Sequence, residues 1–104
     1  MFPADSGVRP LYIVLSLNGK SGYNRAPKFL AAFPDTYPVK AKAHVQGGGR
    51  KRERWLDRKG RIYEWDYENG TVELYTKQGN HLGEFNAQTG EQTKPAKPGR
   101  TTPK

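Results

Sequence analysis

Arg61-Ile62-Tyr63-Glu64-Trp65-Asp66-Tyr67-Glu68-Asn69-Gly70-Thr71-Val72-Glu73-Leu74-Tyr75 decides how this chain folds. Two strand-like runs flank Asn69-Gly70, a turn pair, which is the pattern of a β-hairpin. Side chains alternate between the faces of a strand, so Glu64, Asp66, Thr71 and Glu73 share one face. A two-residue turn at Asn69-Gly70 sets Asp66 opposite Glu73. A four-residue loop sets Asp66 opposite Thr71 and moves Glu73 opposite Glu64. Directly opposed residues have Cβ atoms about 5 Å apart. Like charges that close raise at least one pKa, which makes a carboxylate a usable base near neutral pH. The other use of such a face is ordinary ion pairing with Arg50, Arg52, Arg54 or Arg61 on neighbouring strands.

Working outward, Gly47-Gly48-Gly49-Arg50-Lys51-Arg52-Glu53-Arg54-Trp55 is a glycine hinge leading into cations. From Arg50 to Phe85 the chain reads as a meander of strands at Arg52–Leu56, Arg61–Asp66, Thr71–Thr76 and His81–Phe85. Turns at Arg58-Lys59-Gly60, Asn69-Gly70 and Gln78-Gly79-Asn80 separate them. Upstream, Pro27 opens a short helix over Lys28–Phe33 and Pro34 stops it. A further strand is expected at Leu11–Ser16, ended by Asn18-Gly19. After Thr89-Gly90 a Pro/Lys/Thr tail is extended and docked, or partly disordered. The expected fold is mainly β with α+β character: a small twisted antiparallel meander, a short N-terminal helix and an extended tail.

Composition sets the function classes. With 104 residues there is room for one domain. The net charge of +8 and pI near 9.9 point first to nucleic acid, ahead of acidic proteins or anionic membrane. In a basic chain, a carboxylate cluster either does chemistry on the bound polyanion or neutralises neighbouring cations; the first describes a ribonuclease. Without cysteine there is no disulfide, thiol nucleophile or zinc thiolate site. His44 and His81 show no ligand spacing, so no metal is expected. No run approaches the ~20 apolar residues of a membrane span, and Met1-Phe2-Pro3-Ala4-Asp5 does not open a secretory signal.

The run from the triple glycine through Arg50-Lys51-Arg52 to Trp55 resembles the cytotoxic domain of the ribonuclease colicins, including cloacin. So do Gly60-Arg61-Ile62-Tyr63-Glu64-Trp65-Asp66, His81-Leu82-Gly83-Glu84-Phe85 and Thr89-Gly90. The likeness covers about Gly47 to Arg100, roughly half the chain, with a weaker echo at Tyr23-Asn24-Arg25-Ala26-Pro27-Lys28. The first 20 residues are similar to the strand that precedes toxin domains in some S-type bacteriocins. The resemblance implies an N-terminal linker over 1–22 and a toxin domain over 23–104, its core 47–100.

It also implies an activity: one cut in 16S ribosomal RNA at the decoding site, which stops translation. The family's catalytic aspartate, glutamate and arginine fall on Asp66, Glu73 and Arg100. Its histidine falls on Asn69, which cannot exchange a proton, and Asn69-Gly70 is also a preferred turn pair. The implied mechanism needs no cofactor. A base, Glu73, takes the proton of a ribose 2′-hydroxyl, whose oxygen attacks the adjacent phosphorus. Asp66 orients, and Arg100 offsets charge on the phosphate oxygens. The acid for the leaving 5′-oxygen is left unassigned; His81 has suitable chemistry and is read as a structural histidine.

RNA contacts are expected from Lys51, Arg52, Arg54 and Lys94, with Tyr63 and Tyr75 stacking on an unpaired base. Expected partners are the ribosome and a small acidic immunity protein, with the domain a monomer. The family further implies release by a producing bacterium and action in the cytoplasm of its target. A non-catalytic RNA-binding module and a tRNA-cutting toxin are the competing classes.

Overall fold

The computed structural model describes residues 24–44 and 51–104. Its strands are β1 (Tyr37–Val39), β2 (Arg54–Leu56), β3 (Ile62–Asp66), β4 (Thr71–Tyr75), β5 (His81–Phe85) and β6 (Gln92–Pro95). They form a six-stranded antiparallel meander in chain order. β2 to β5 occupy the runs expected from sequence; β2 to β4 lose one or two residues at one end and β5 none. β1 and β6 were not expected as strands. Both lie at sheet edges and each contains a proline, Pro38 or Pro95. The missing N–H is tolerated at an edge, and it also removes the strand signal from the sequence. The docked tail is therefore the sixth strand.

The helix expected over Lys28–Phe33 is not formed, and the described residues contain no helix. Pro27 and Pro34 leave too few residues between them to offset the cost of nucleation. The segment makes turns instead: Phe33 N donates to Leu30 O at 2.9 Å and Thr36 N to Phe33 O at 3.1 Å. Ala32 N donates to Ala87 O at 2.9 Å, which seats Leu30, 2% exposed, on the sheet. The strand expected at Leu11–Ser16, the triple glycine and Arg50 lie outside the described residues.

The hairpin takes the four-residue loop. Asp66 pairs with Thr71 and Glu64 with Glu73. Gly70 N donates to Asp66 O at 2.8 Å, and Gly70 sits at φ +69°, where a side chain is strained. The Asp66 carboxylate closes the loop: Oδ1 accepts from Glu68 N at 2.9 Å and Asn69 N at 3.1 Å. Loop length fixes register, and register decides which acids meet.

One face of the sheet carries the core: Trp55, Tyr63, Trp65, Val72 and Leu74, joined by Leu30, Tyr67 and Ala87. Burying each large apolar side chain contributes about 1.5–3 kcal/mol. The indole N–H groups find carbonyls on the covering segment, Trp65 Nε1 to Asn24 O at 2.8 Å and Trp55 Nε1 to Lys28 O at 3.3 Å. That pins residues 24–36 over the core and leaves the opposite face to polar side chains.

Candidate active site

Across that opposite face runs a row of charges, one per strand. Arg54 pairs with Glu64, Glu64 with Glu73, Glu73 with Glu84 and Glu84 with Lys94. The three glutamates are 1%, 3% and 4% exposed. Buried acids this close need compensation, and each finds a different kind.

Glu64, which does not line the cavity of the site, is tied in through one oxygen, and its buried Oε1 has no hydrogen bond. Its Oε2 accepts from Arg54 Nη1 at 3.3 Å and from Thr102 Oγ1 at 2.8 Å. Arg54 is itself buried, so it is not available to RNA; that expectation is corrected. Its position on the polar face of β2, paired with Glu64, makes it a counter-ion.

Glu73 has two cationic or donor partners. His81 Nε2 lies 2.7 Å from its Oε1, and Arg100 Nη1 lies 3.6 Å from the same oxygen. His81 Nδ1 accepts from the backbone N–H of Lys97 at 2.9 Å. A backbone N–H is always a donor, so a neutral His81 carries its ring proton on Nε2 and gives it to Glu73. A register shift between β4 and β5 makes this possible. Tyr75 pairs with His81 and Leu74 with Gly83, so Leu82 is the extra residue. The bulge turns His81 onto the same face as Glu84, three positions away. Simple alternation places them on opposite faces, which is why the sequence did not bring His81 to Glu73.

Arg100 arrives on the segment after β6, with His81 N donating to Arg100 O at 3.0 Å. Its guanidinium lies 6.0 Å from the Tyr75 ring centroid. Burial works against the Arg100 charge, but Tyr75 and Glu73 outweigh it and raise the pKa. Burial likewise pushes the Tyr75 phenol up.

Asp66, Glu73 and Arg100, the expected catalytic residues, line one cavity of about 550 Å³ together with Asn69, His81, Glu84, Arg52, Lys94 and Lys97. Asn69 Nδ2 donates to Asp66 Oδ2 at 2.9 Å, so the side chain expected to replace a histidine faces the aspartate. Asp66, Glu73 and Glu84 each place one oxygen within 4.8 Å of the others. Among the described residues this is the one set that could hold a metal ion. Arg100 lies against Glu73, and Lys94 Nζ lies 3.8 Å from Glu84.

The other expected RNA contacts divide. Arg52 and Lys94 line the cavity, and Lys51 is exposed beside it in sequence. Tyr63 and Tyr75 are 2% and 1% exposed, so neither offers a ring face to a base; this too is corrected. Tyr63 belongs to the core face, and its hydroxyl donates to Asp57 Oδ2 at 2.9 Å. Burial and that bond push its phenol up to about 12. Two further residues of the site carry no sequence signal: Glu84 meets Glu73 only through strand pairing, and Lys97 contributes a backbone N–H.

The described residues contain no helix long and apolar enough to cross a membrane. A family model described as Cytotoxic matches residues 24–103. Colicin E3 of Escherichia coli is 43% identical over 86 residues, which is 79% of this chain and 16% of that protein. Cloacin and colicin-E6, also of Escherichia coli, are 48% and 49% identical over 67 residues, 62% of this chain and 12% of each. The site, the meander that carries it and these matches agree: the chain belongs to the Cytotoxic family and spans only a small part of the colicins and cloacin it matches.

Proposed function

We propose that this domain is a metal-independent endoribonuclease that cuts 16S ribosomal RNA in the decoding site and so stops translation. The observation that carries the reading is Glu73, a buried carboxylate held by His81 and beside Arg100, on the floor of a cavity rimmed by Arg52 and Lys94. Glu73 takes the proton from a ribose 2′-hydroxyl, and the oxygen attacks the adjacent phosphorus to give a 2′,3′-cyclic phosphate. Arg100 offsets the charge that builds on the phosphate oxygens. Asp66, closing the β3–β4 loop, fixes Asn69 and orients the 2′-hydroxyl side of the substrate. Arg52, Lys94 and Lys51 hold the RNA backbone by phosphate contacts.

The toxin domain is residues 23–104, with 1–22 belonging to an upstream bacteriocin region; the family match over residues 24–103 supports that division. The domain acts as a monomer on the ribosome, in the cytoplasm of a target bacterium, after release by a producer. A small acidic immunity protein, attracted to the +8 domain by electrostatic steering, protects the producer. Incubation with intact ribosomes and with total tRNA tests the reading. One 16S fragment supports it; cut tRNA assigns the domain to the tRNA-directed toxins; no cut in either leaves a binding module.

A further inference from the structure

Glu73 and Glu84 stand directly opposite each other on β4 and β5, and both line the cavity, yet their partners differ. Glu73 Oε1 receives His81 Nε2 at 2.7 Å and faces Arg100 Nη1 at 3.6 Å. Glu84 Oε2 receives the Thr93 hydroxyl, while its buried Oε1 has no hydrogen bond at all. The cation beside that oxygen is Lys94 Nζ, 3.8 Å away on a side chain 63% exposed. A buried carboxylate oxygen without a donor is costly as an anion. Two carboxyl groups held together in unequal surroundings separate into a base and an acid.

We propose that Glu84 is the general acid of this site, delivering the proton on Oε1 to the leaving 5′-oxygen. The proposal rests on the ribonuclease reading above and supplies the donor that Asn69 cannot be. In the step, Glu73 accepts the 2′-hydroxyl proton as the bond from O2′ to phosphorus forms. The bond from phosphorus to O5′ breaks, and the Glu84 proton goes to O5′. Glu73 is then protonated and Glu84 ionised. Their oxygens lie within 4.8 Å, so a transfer relayed through water returns the proton and resets the site. Lys94 covers Oε1 from the solvent side; an incoming phosphate draws this exposed ammonium off and opens the oxygen to the leaving group.

The test varies the leaving group. Wild type, Glu84→Gln and Glu84→Asp are assayed on ribosomes and on a decoding-site RNA oligonucleotide bearing either the natural 5′-oxygen or a bridging 5′-sulfur. A thiolate leaves without a proton. Glu84→Gln is expected to cut ribosomes and the oxygen RNA about 100-fold more slowly or worse, yet to cut the sulfur RNA within a few-fold of wild type. Glu84→Asp, which keeps the carboxyl, is expected to retain more oxygen-RNA cleavage than Glu84→Gln. The sulfur-to-oxygen rate ratio is internal to each variant, so a general loss of folded protein does not mimic it. Ribosome cleavage by Glu84→Gln within threefold of wild type, or equal losses on both RNAs, overturns the proposal. Glu73→Gln separates the two readings: a base is needed for either leaving group, so it should lose both. Full activity in Glu73→Gln removes the base assignment and leaves Glu84 to be judged by its own ratio.

Discussion

His81 Nε2 meets Glu73 Oε1 at 2.7 Å, while the Lys97 backbone holds the other ring nitrogen as an acceptor. Both ends of the imidazole are thus committed within the protein, and Nε2 is 2.7 Å from the base rather than free for a leaving group. In the proposed reaction, His81 acts through Glu73. His81→Ala should lower cleavage by about 10- to 100-fold by releasing Glu73 from its position. His81→Gln, whose amide can donate a hydrogen bond but cannot transfer a proton, should recover part of that loss. Equal inactivity of the two variants, with folding intact, would return His81 to consideration as an acid.

Glu73→Gln keeps shape and hydrogen-bonding size and removes the proposed base. Cleavage of 16S RNA should fall by about two orders of magnitude or more. Ribosome binding should hold or tighten, because a negative charge facing phosphate is gone and Arg100 is freed for it. Cleavage rate and ribosome affinity, measured on the same preparation, check both halves.

The cations should separate by what faces them. Arg52→Ala and Lys94→Ala, on the cavity rim, should weaken ribosome binding with the fold intact and lower the salt slope of binding by about one each. Arg54→Ala should instead destabilise by about 3–5 kcal/mol, since it strands the buried Glu64 carboxylate. Thermal melting and a salt titration distinguish the two effects; a stable Arg54→Ala variant with weakened binding would reverse the assignment.

Much of this was legible in sequence where alternation and turn chemistry act locally. The runs at Ile62–Asp66, Thr71–Tyr75 and His81–Phe85 announced themselves, and the two possible hairpin registers were both visible at Asn69-Gly70. Which register holds depends on Asp66 capping the loop, a contact of one side chain with two backbone N–H groups. Tyr63 and Tyr75 looked like stacking platforms because side-chain type does not report burial. Tyr63 lies on the core face, and Tyr75 is enclosed by His81 and Arg100 on the other. The least legible step was the bulge at Leu82, which breaks the period-two count and brings a histidine to the base. Edge strands broken by proline, and a six-residue helix signal between prolines, failed for the same reason: tertiary pairing outweighs a short local pattern.

Asp57 sets an acid limit on stability, away from the site. Its carboxylate accepts from Lys59 N, Arg61 N, Arg61 Nε and Tyr63 Oη at 2.7–3.0 Å. Burial pushes the carboxyl up, but the bonds from Arg61 and Tyr63 outweigh it and hold it below the ordinary value. The stability it contributes is complete above pH ~4, where the unfolded carboxyl is also ionised, and is lost as pH falls through the lower folded value. Asp57→Asn should cost about 2 kcal/mol at neutral pH, or roughly 10 °C in melting temperature. The gap from wild type should narrow below pH ~4. A gap that does not change with pH would show that the charge contributes nothing.

Asn69 stands where the resemblance implies a proton-exchanging histidine, and it already faces the site. Its amide donates to Asp66 Oδ2 at 2.9 Å, and it is exposed at the cavity rim. An imidazole there can take the same bond from one nitrogen and leave the other toward substrate. Asn69→His should therefore raise 16S cleavage and add a titration near ~6.5 to its pH profile. The effect should be larger in a Glu84→Gln background, where no other acid remains, than in the wild type. Rate against pH for the single and double variants checks this. If Asn69→His leaves both backgrounds unchanged, position 69 serves only the loop, and the leaving oxygen takes its proton from a group that histidine does not replace.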